Sequence, residues 1–142
     1  MFRPASLAAV LAVGFATGAL AATERFHATL NGANEVPAKQ TQGTGTMTGT
    51  LNTTTHRFSY DVSWKGLSGP ATMAHFHGPA PAGQNAGIVV PLGNNPKSPI
   101  KGSVTLTPEQ QQQLENGLWY VNVHTAANPP GEIRGQVEPV KK

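Results

Sequence analysis

Phe58-Ser59-Tyr60-Asp61-Val62-Ser63-Trp64 alternates large apolar side chains with small or charged ones at every second residue. Successive side chains of a strand point to opposite faces, so this period of two predicts a half-buried β-strand with Phe58, Tyr60, Val62 and Trp64 turned inward. Outward from it, residues 24–31, 43–52, 71–78, 87–92, 101–106, 117–124 and 131–138 read as further strands, each bounded by Gly, Pro or Asn. Within 117–124, Trp119, Val121 and Val123 take one face, with the expected core, and Tyr120, Asn122 and His124 take the other. The one helical signal is Thr107-Pro108-Glu109-Gln110, an N-cap Thr with Pro at the first helical position and Gln three residues after the cap. It opens a short polar helix that stops near Asn116-Gly117. Eight short strands with one short helical turn predict an all-β fold, an antiparallel Greek-key β-sandwich or barrel.

The chain has 142 residues, 16 Gly, 12 Pro and 12 % charged residues, which is turn-rich but short of the composition of disordered or collagen-like chains. Its net charge is only +3 and its longest basic run is Lys141-Lys142, which argues against a nucleic-acid partner. Arg3, the apolar stretch 7–15 and the small-x-small signal Ala19-Leu20-Ala21 read as a secretory signal peptide over residues 1–22, cleaved after Ala21 or Ala22. That places residues 23–142 outside the cytoplasm, secreted or periplasmic, as one domain. No later segment approaches the roughly 20 apolar residues that span a bilayer. With no cysteine, the core or a bound metal must supply the stability that disulfides give many small exported domains. Thiolate nucleophiles, Fe–S clusters, zinc ribbons and blue-copper sites are excluded by the same count.

The chemistry concentrates at Ala74-His75-Phe76-His77-Gly78. On a strand, residues two apart share a face with Cα atoms roughly 6.5–7 Å apart, so both imidazoles can reach one metal ion while Phe76 enters the core behind them. His124, on the polar face of its strand, is the expected third ligand. Three imidazoles with an open position suit copper or zinc, and nitrogen ligands without a carboxylate cluster disfavour calcium and magnesium. Copper is the first expectation by the Irving–Williams order and zinc the second. His27, alternating with Arg25 and Thr29, and His56, at a turn, are each a candidate fourth ligand or an exposed surface histidine. After the Pro129-Pro130-Gly131 turn, Glu132, Arg134 and Gln136 face away from Ile133 and Val137. Glu132 is expected to orient a ligand imidazole and Arg134 to steer an anion toward the metal, as a catalytic group; the alternative is a cross-strand ion pair. Nothing points to nucleophilic or phosphate chemistry: there is no Gly-x-Ser-x-Gly elbow, the carboxylates are scattered singly, and Gly43-Thr44-Gly45 runs into a strand rather than a helix.

The blocks FHATLNGANEVPA (26–38), AHFHGPAPAGQNAGIVVPL (74–92) and GLWYVNVHTAANPPGEIRGQV (117–137) resemble the CHRD (chordin) domain family over nearly the whole mature chain. The resemblance implies an exported all-β domain in which His75, His77, His124, Glu132 and Arg134 fall in the family's most recognisable blocks. The chain carries one copy of the domain and none of chordin's Cys-rich modules, so growth-factor antagonism is not carried over. A weaker similarity is to Cu/Zn superoxide dismutase, a Greek-key barrel whose copper is also held by a His-x-His pair with histidines from other segments. His75, His77 and His124 would correspond, while the disulfide and the zinc loop of that family are missing, which leaves a copper-only site with redox or superoxide-dismutase-like activity. The competing expectation is a non-catalytic extracellular module that binds a protein or matrix partner, as monomer or homodimer, with the histidines tying strands together.

Overall fold

The computed structural model describes residues 13–14 and 22–142; the expected signal peptide over 1–22 lies almost wholly outside them. Eight strands follow in order: β1 Thr23–Asn31, β2 Thr44–Asn52, β3 Arg57–Lys65, β4 Ala71–His77, β5 Ile88–Asn94, β6 Ile100–Thr105, β7 Trp119–Thr125 and β8 Ile133–Pro139. A 3-10 turn, Gly32–Asn34, follows β1, and one helix, α1 Pro108–Glu115, links β6 to β7. Thr107 and Gln110 close the expected capping box at the start of α1, which satisfies two donors that a helix N-terminus would leave orphaned. Leu114 docks the helix by complete burial.

The strands form one antiparallel sheet in the order β5-β4-β7-β8-β1-β2-β3-β6. Laid flat, its end strands would stand about 34 Å apart. Residues 95–99, which join Asn94 of β5 to Ile100 of β6, can span at most about 22 Å. The sheet must therefore curl, and it closes into a nearly complete barrel whose seam lies between β5 and β6. Across that seam β4, β5 and β6 follow in sequence, and β7 returns through α1 to lie beside β4, which is the Greek-key return.

Alternation then sorts the two faces. Phe26, Ala28 and Leu30 of β1, Met47 and Leu51 of β2, Phe58 and Val62 of β3, Phe76 of β4, Trp119, Val121 and Val123 of β7, and Ile133 and Val137 of β8 fill the interior. Phe58 is its centre, with ring centroids 5.9 Å from Phe26, 5.8 Å from Phe76 and 6.4 Å from Trp119, all edge-on as aromatic quadrupoles prefer. Tyr60 and Trp64, expected in the core, are only half-buried and pack on its margin. Tyr60 crosses the side-chain-free Gly102 of end strand β6, and Trp64 lies beyond the last β3–β6 pair, Val62–Ile100. β7 is buried along its whole length: the core covers one face, and the 78–87 loop and the 126–132 turn cover the other.

Candidate metal centre

β4 and β7 place the histidines through their register. His75 lies opposite Asn122, His77 opposite Tyr120 and Met73 opposite His124, so His75, His77, Tyr120, Asn122 and His124 share the outer face while Ala74, Phe76, Val121 and Val123 enter the core. The expected triad comes together: one ligand atom from each of His75, His77 and His124 lies within 4.8 Å of the others. It is the one such grouping among the described residues. The side chains are buried but not sealed, at 7, 8 and 6 % exposure.

Backbone carbonyls fix two of the rings. His77 Nδ1 donates to Ala86 O at 3.0 Å and His124 Nδ1 to Pro129 O at 2.7 Å. A carbonyl can only accept, so in the neutral rings both Nε2 atoms carry lone pairs. Those two lone pairs face one further acceptor, Asn122 Oδ1, at 3.0 Å from His77 and 2.9 Å from His124. His75 has no carbonyl tether, and its Nδ1 stands 3.0 Å from His124 Nε2. Burial, with the neighbouring His124 and His77, pushes the His75 pKa down to about 4. Burial also lowers His77, against the hydrogen bonds to Ala86 and Asn122, with His124 and Arg134 adding to the lowering. Since His124 Nε2 carries a lone pair, a neutral His75 can donate its Nδ1–H to it. Imidazoles with convergent ring nitrogens are what a transition-metal cation requires, and fixing the other ring nitrogen on a carbonyl is how metal-binding histidines are oriented. The cluster could hold a metal ion.

Arg134 sits one ring away. Tyr120 stacks on His77 with centroids 4.7 Å apart and planes 2° apart, and the guanidinium lies 3.5 Å over the Tyr120 ring, so the two take opposite faces. The guanidinium is 1 % exposed and donates to Asn85 Oδ1 at 2.9 Å and Gln84 O at 2.6 Å. It thereby ties the 78–87 loop over the histidines. Tyr120 Oη holds the same loop by accepting from Ala86 N and donating to Ala86 O.

Glu132 does not orient an imidazole, nor does it pair with Arg134. It precedes β8, where strand alternation has not begun, and its fully buried carboxylate accepts from Thr41, Ser68, Thr125 and Asn128. Burial alone would raise its pKa, but the hydrogen bonds from the Ser68 side chain and backbone, Thr125 and Thr41 outweigh it and hold it down to about 2. Its work is to join three loops at one barrel end. His27 and His56 stay away from the cluster. His27 is exposed on β1, opposite Glu138, in a groove of about 470 Å³, and His56 pairs with Gln111 of α1.

Sequence reasoning missed Glu35, which is 6 % exposed beside Asn122 and Arg134. Its Oε1 makes no hydrogen bond, and burial pushes its pKa up to about 7 against the pull of Arg134, the Asn122 amide and Lys39. No periodic signal marks it, since it follows a 3-10 turn. Asn122 could have been found, because alternation puts it between Tyr120 and His124 on their face.

The family model for the CHRD domain matches residues 26–137, which include every residue of the cluster and of its carbonyl tethers. No curated protein and no solved structure matches the chain. Among the described residues no helix is long and apolar enough to cross a membrane.

Proposed function

The chain belongs to the CHRD domain family, and on that footing we propose that it is an exported protein that binds one transition-metal ion through His75, His77 and His124. The observation that carries this reading is the pair of Nε2 lone pairs, on His77 and His124, aimed into one buried point by carbonyls behind the rings. His77 Nε2 faces only the oxygen Asn122 Oδ1, where a merely structural histidine would spend both nitrogens on donors and acceptors of the fold.

Copper is the preferred ion and zinc the second. All three histidine ligands are imidazoles, no carboxylate is in the cluster, and copper leads the divalent series at such donors. Bound copper would supply a Cu(I)/Cu(II) couple, so storage, buffering and redox use, including superoxide dismutation, all follow from one site. The chain's part is to keep the imidazoles neutral and in place. Arg134 serves that part through Tyr120: its charge disfavours protonation of His77, and the same field would favour an approaching anion. Export rests on the leader-like residues 1–22.

The test is copper and zinc titration of the mature, tag-free protein against His77→Ala. One equivalent bound by the wild type and none by the variant, with both folded, supports the reading. Equal binding by the two overturns it, and a wild type that binds neither metal leaves the domain as a partner-binding module.

A further inference from the structure

The two fixed histidine lone pairs do not face empty space. They face the side-chain oxygen of Asn122, a residue 3 % exposed on the strand that carries His124. Nothing protonates this contact: Asn122 Oδ1, His77 Nε2 and His124 Nε2 are all acceptors once Ala86 O and Pro129 O have claimed the ring N–H groups. Acceptors held about 3 Å apart repel, and a shared cation removes the repulsion.

The amide is held with its oxygen toward the histidines. Its Nδ2 end faces two acceptors, Pro130 O at 3.4 Å and the Glu35 carboxyl group. Gly131, at φ +132°, leaves the room for that arrangement, since a Cβ there would overlap both Glu35 Oε1 and Asn122 Nδ2. Turning the amide over would set its oxygen against Pro130 O, which can only accept.

The spacing of the donors is also informative. Along the path His75 Nδ1, His124 Nε2, Asn122 Oδ1, His77 Nε2 the successive separations are 3.0, 2.9 and 3.0 Å. With bonds of about 2.0 Å, neighbouring donors are roughly 2.8 Å apart around a square and roughly 3.3 Å apart in a tetrahedron. The observed spacings lie between the two, so each donor has its neighbour at the distance that one shared ion sets.

We infer that Asn122 Oδ1 is a fourth metal ligand, completing a three-nitrogen, one-oxygen set. The inference rests on the triad binding a metal and adds to it the fourth ligand.

The test is Cu(II) titration of mature wild type, Asn122→Ala and Asn122→Asp, read by affinity and by electron paramagnetic resonance. The wild type should give a Cu(II) signal with the hyperfine splitting of three nitrogen donors and one oxygen donor. Asn122→Ala should lose at least about tenfold in Cu(II) affinity with an altered copper hyperfine splitting. Asn122→Asp, with a charged oxygen at the same corner, should bind Cu(II) at least as tightly as wild type with a shifted spectrum. If Asn122→Ala does not fold, Asn122→Asp decides alone. Copper binding with wild-type affinity and an unchanged spectrum in the folded variants overturns the Asn122 assignment while leaving the histidine site standing. A wild type that binds no copper instead removes the histidine reading itself.

Discussion

Replacing Glu132 by Gln tests the claim that this carboxylate holds one end of the barrel together rather than serving the metal. Oε1 accepts from Ser68 Oγ, Thr125 Oγ1 at 2.8 Å and Asn128 Nδ2 at 3.0 Å; Oε2 accepts from Thr41 Oγ1 and Ser68 N, both at 2.9 Å. In Glu132→Gln the best placement keeps the amide oxygen at the first site and puts its NH2 where Oε2 was. Thr41 can rotate its hydroxyl to accept, but the Ser68 N–H cannot, and it is left facing another donor. Hydrogen bonds to a charged group contribute about 1.5–3 kcal/mol each and neutral ones about 0.5–1.5, so three bonds are weakened by roughly 1 kcal/mol each and one donor loses its partner at about 1–3 kcal/mol. Allowing for non-additivity among neighbours, the expected loss is about 3–5 kcal/mol, a large share of the roughly 5–15 kcal/mol of a whole domain.

Urea unfolding of metal-free protein, followed by the fluorescence of Trp64 and Trp119, reads this directly. The pH dependence gives a second arm. The folded pKa of about 2 lies below the ordinary value of 4.5, so the contribution of Glu132 is full above about pH 4.5 and is lost as pH falls through about 2. Wild type should lose stability across that window relative to Glu132→Gln, and the two should converge at its acid end. A loss under about 1 kcal/mol at pH 7, or parallel acid limbs, would refute the reasoning.

Three further outcomes are expected. Glu35 is the opposite case: its acid form is favoured in the fold, so its contribution is full below about pH 4.5 and lost as pH rises through about 7. Glu35→Gln should therefore gain on wild type between pH 5 and 8, by about 2–3 kcal/mol at pH 8, and unfolding curves at constant difference would count against it. Thr107→Ala removes the cap of α1 and should cost about 1 kcal/mol in urea unfolding. Copper at about 100 times its dissociation constant should raise the unfolding free energy by about 2.7 kcal/mol, with the gain shrinking in acid as the ligands protonate; calorimetry of wild type against His75→Ala, which should show no gain, checks it.

The strands were legible because each presents two faces and the sequence writes that period plainly; β3 and β7 are the clearest cases. Their order around the barrel was not, since pairing depends on contacts far apart in the chain, and only the short 95–99 link betrays the curl once both its ends are known. The histidine triad was readable from His-x-His and from the parity of His124. Glu132 was misread because parity was extended one residue past the start of β8. Glu35 had no parity to read, sitting in irregular chain, and its importance comes from what folds over it. Tyr60 and Trp64 carried the right pattern but lie near the seam, where the end strand β6 gives incomplete cover.

Metal content of residues 23–142, purified without a histidine tag and measured by plasma mass spectrometry before and after copper loading, bears most directly on the central claim. The account predicts close to one copper per chain, lost in His75→Ala and in His77→Ala. A folded protein that retains no metal, and binds copper no more tightly than an isolated surface histidine, would contradict it.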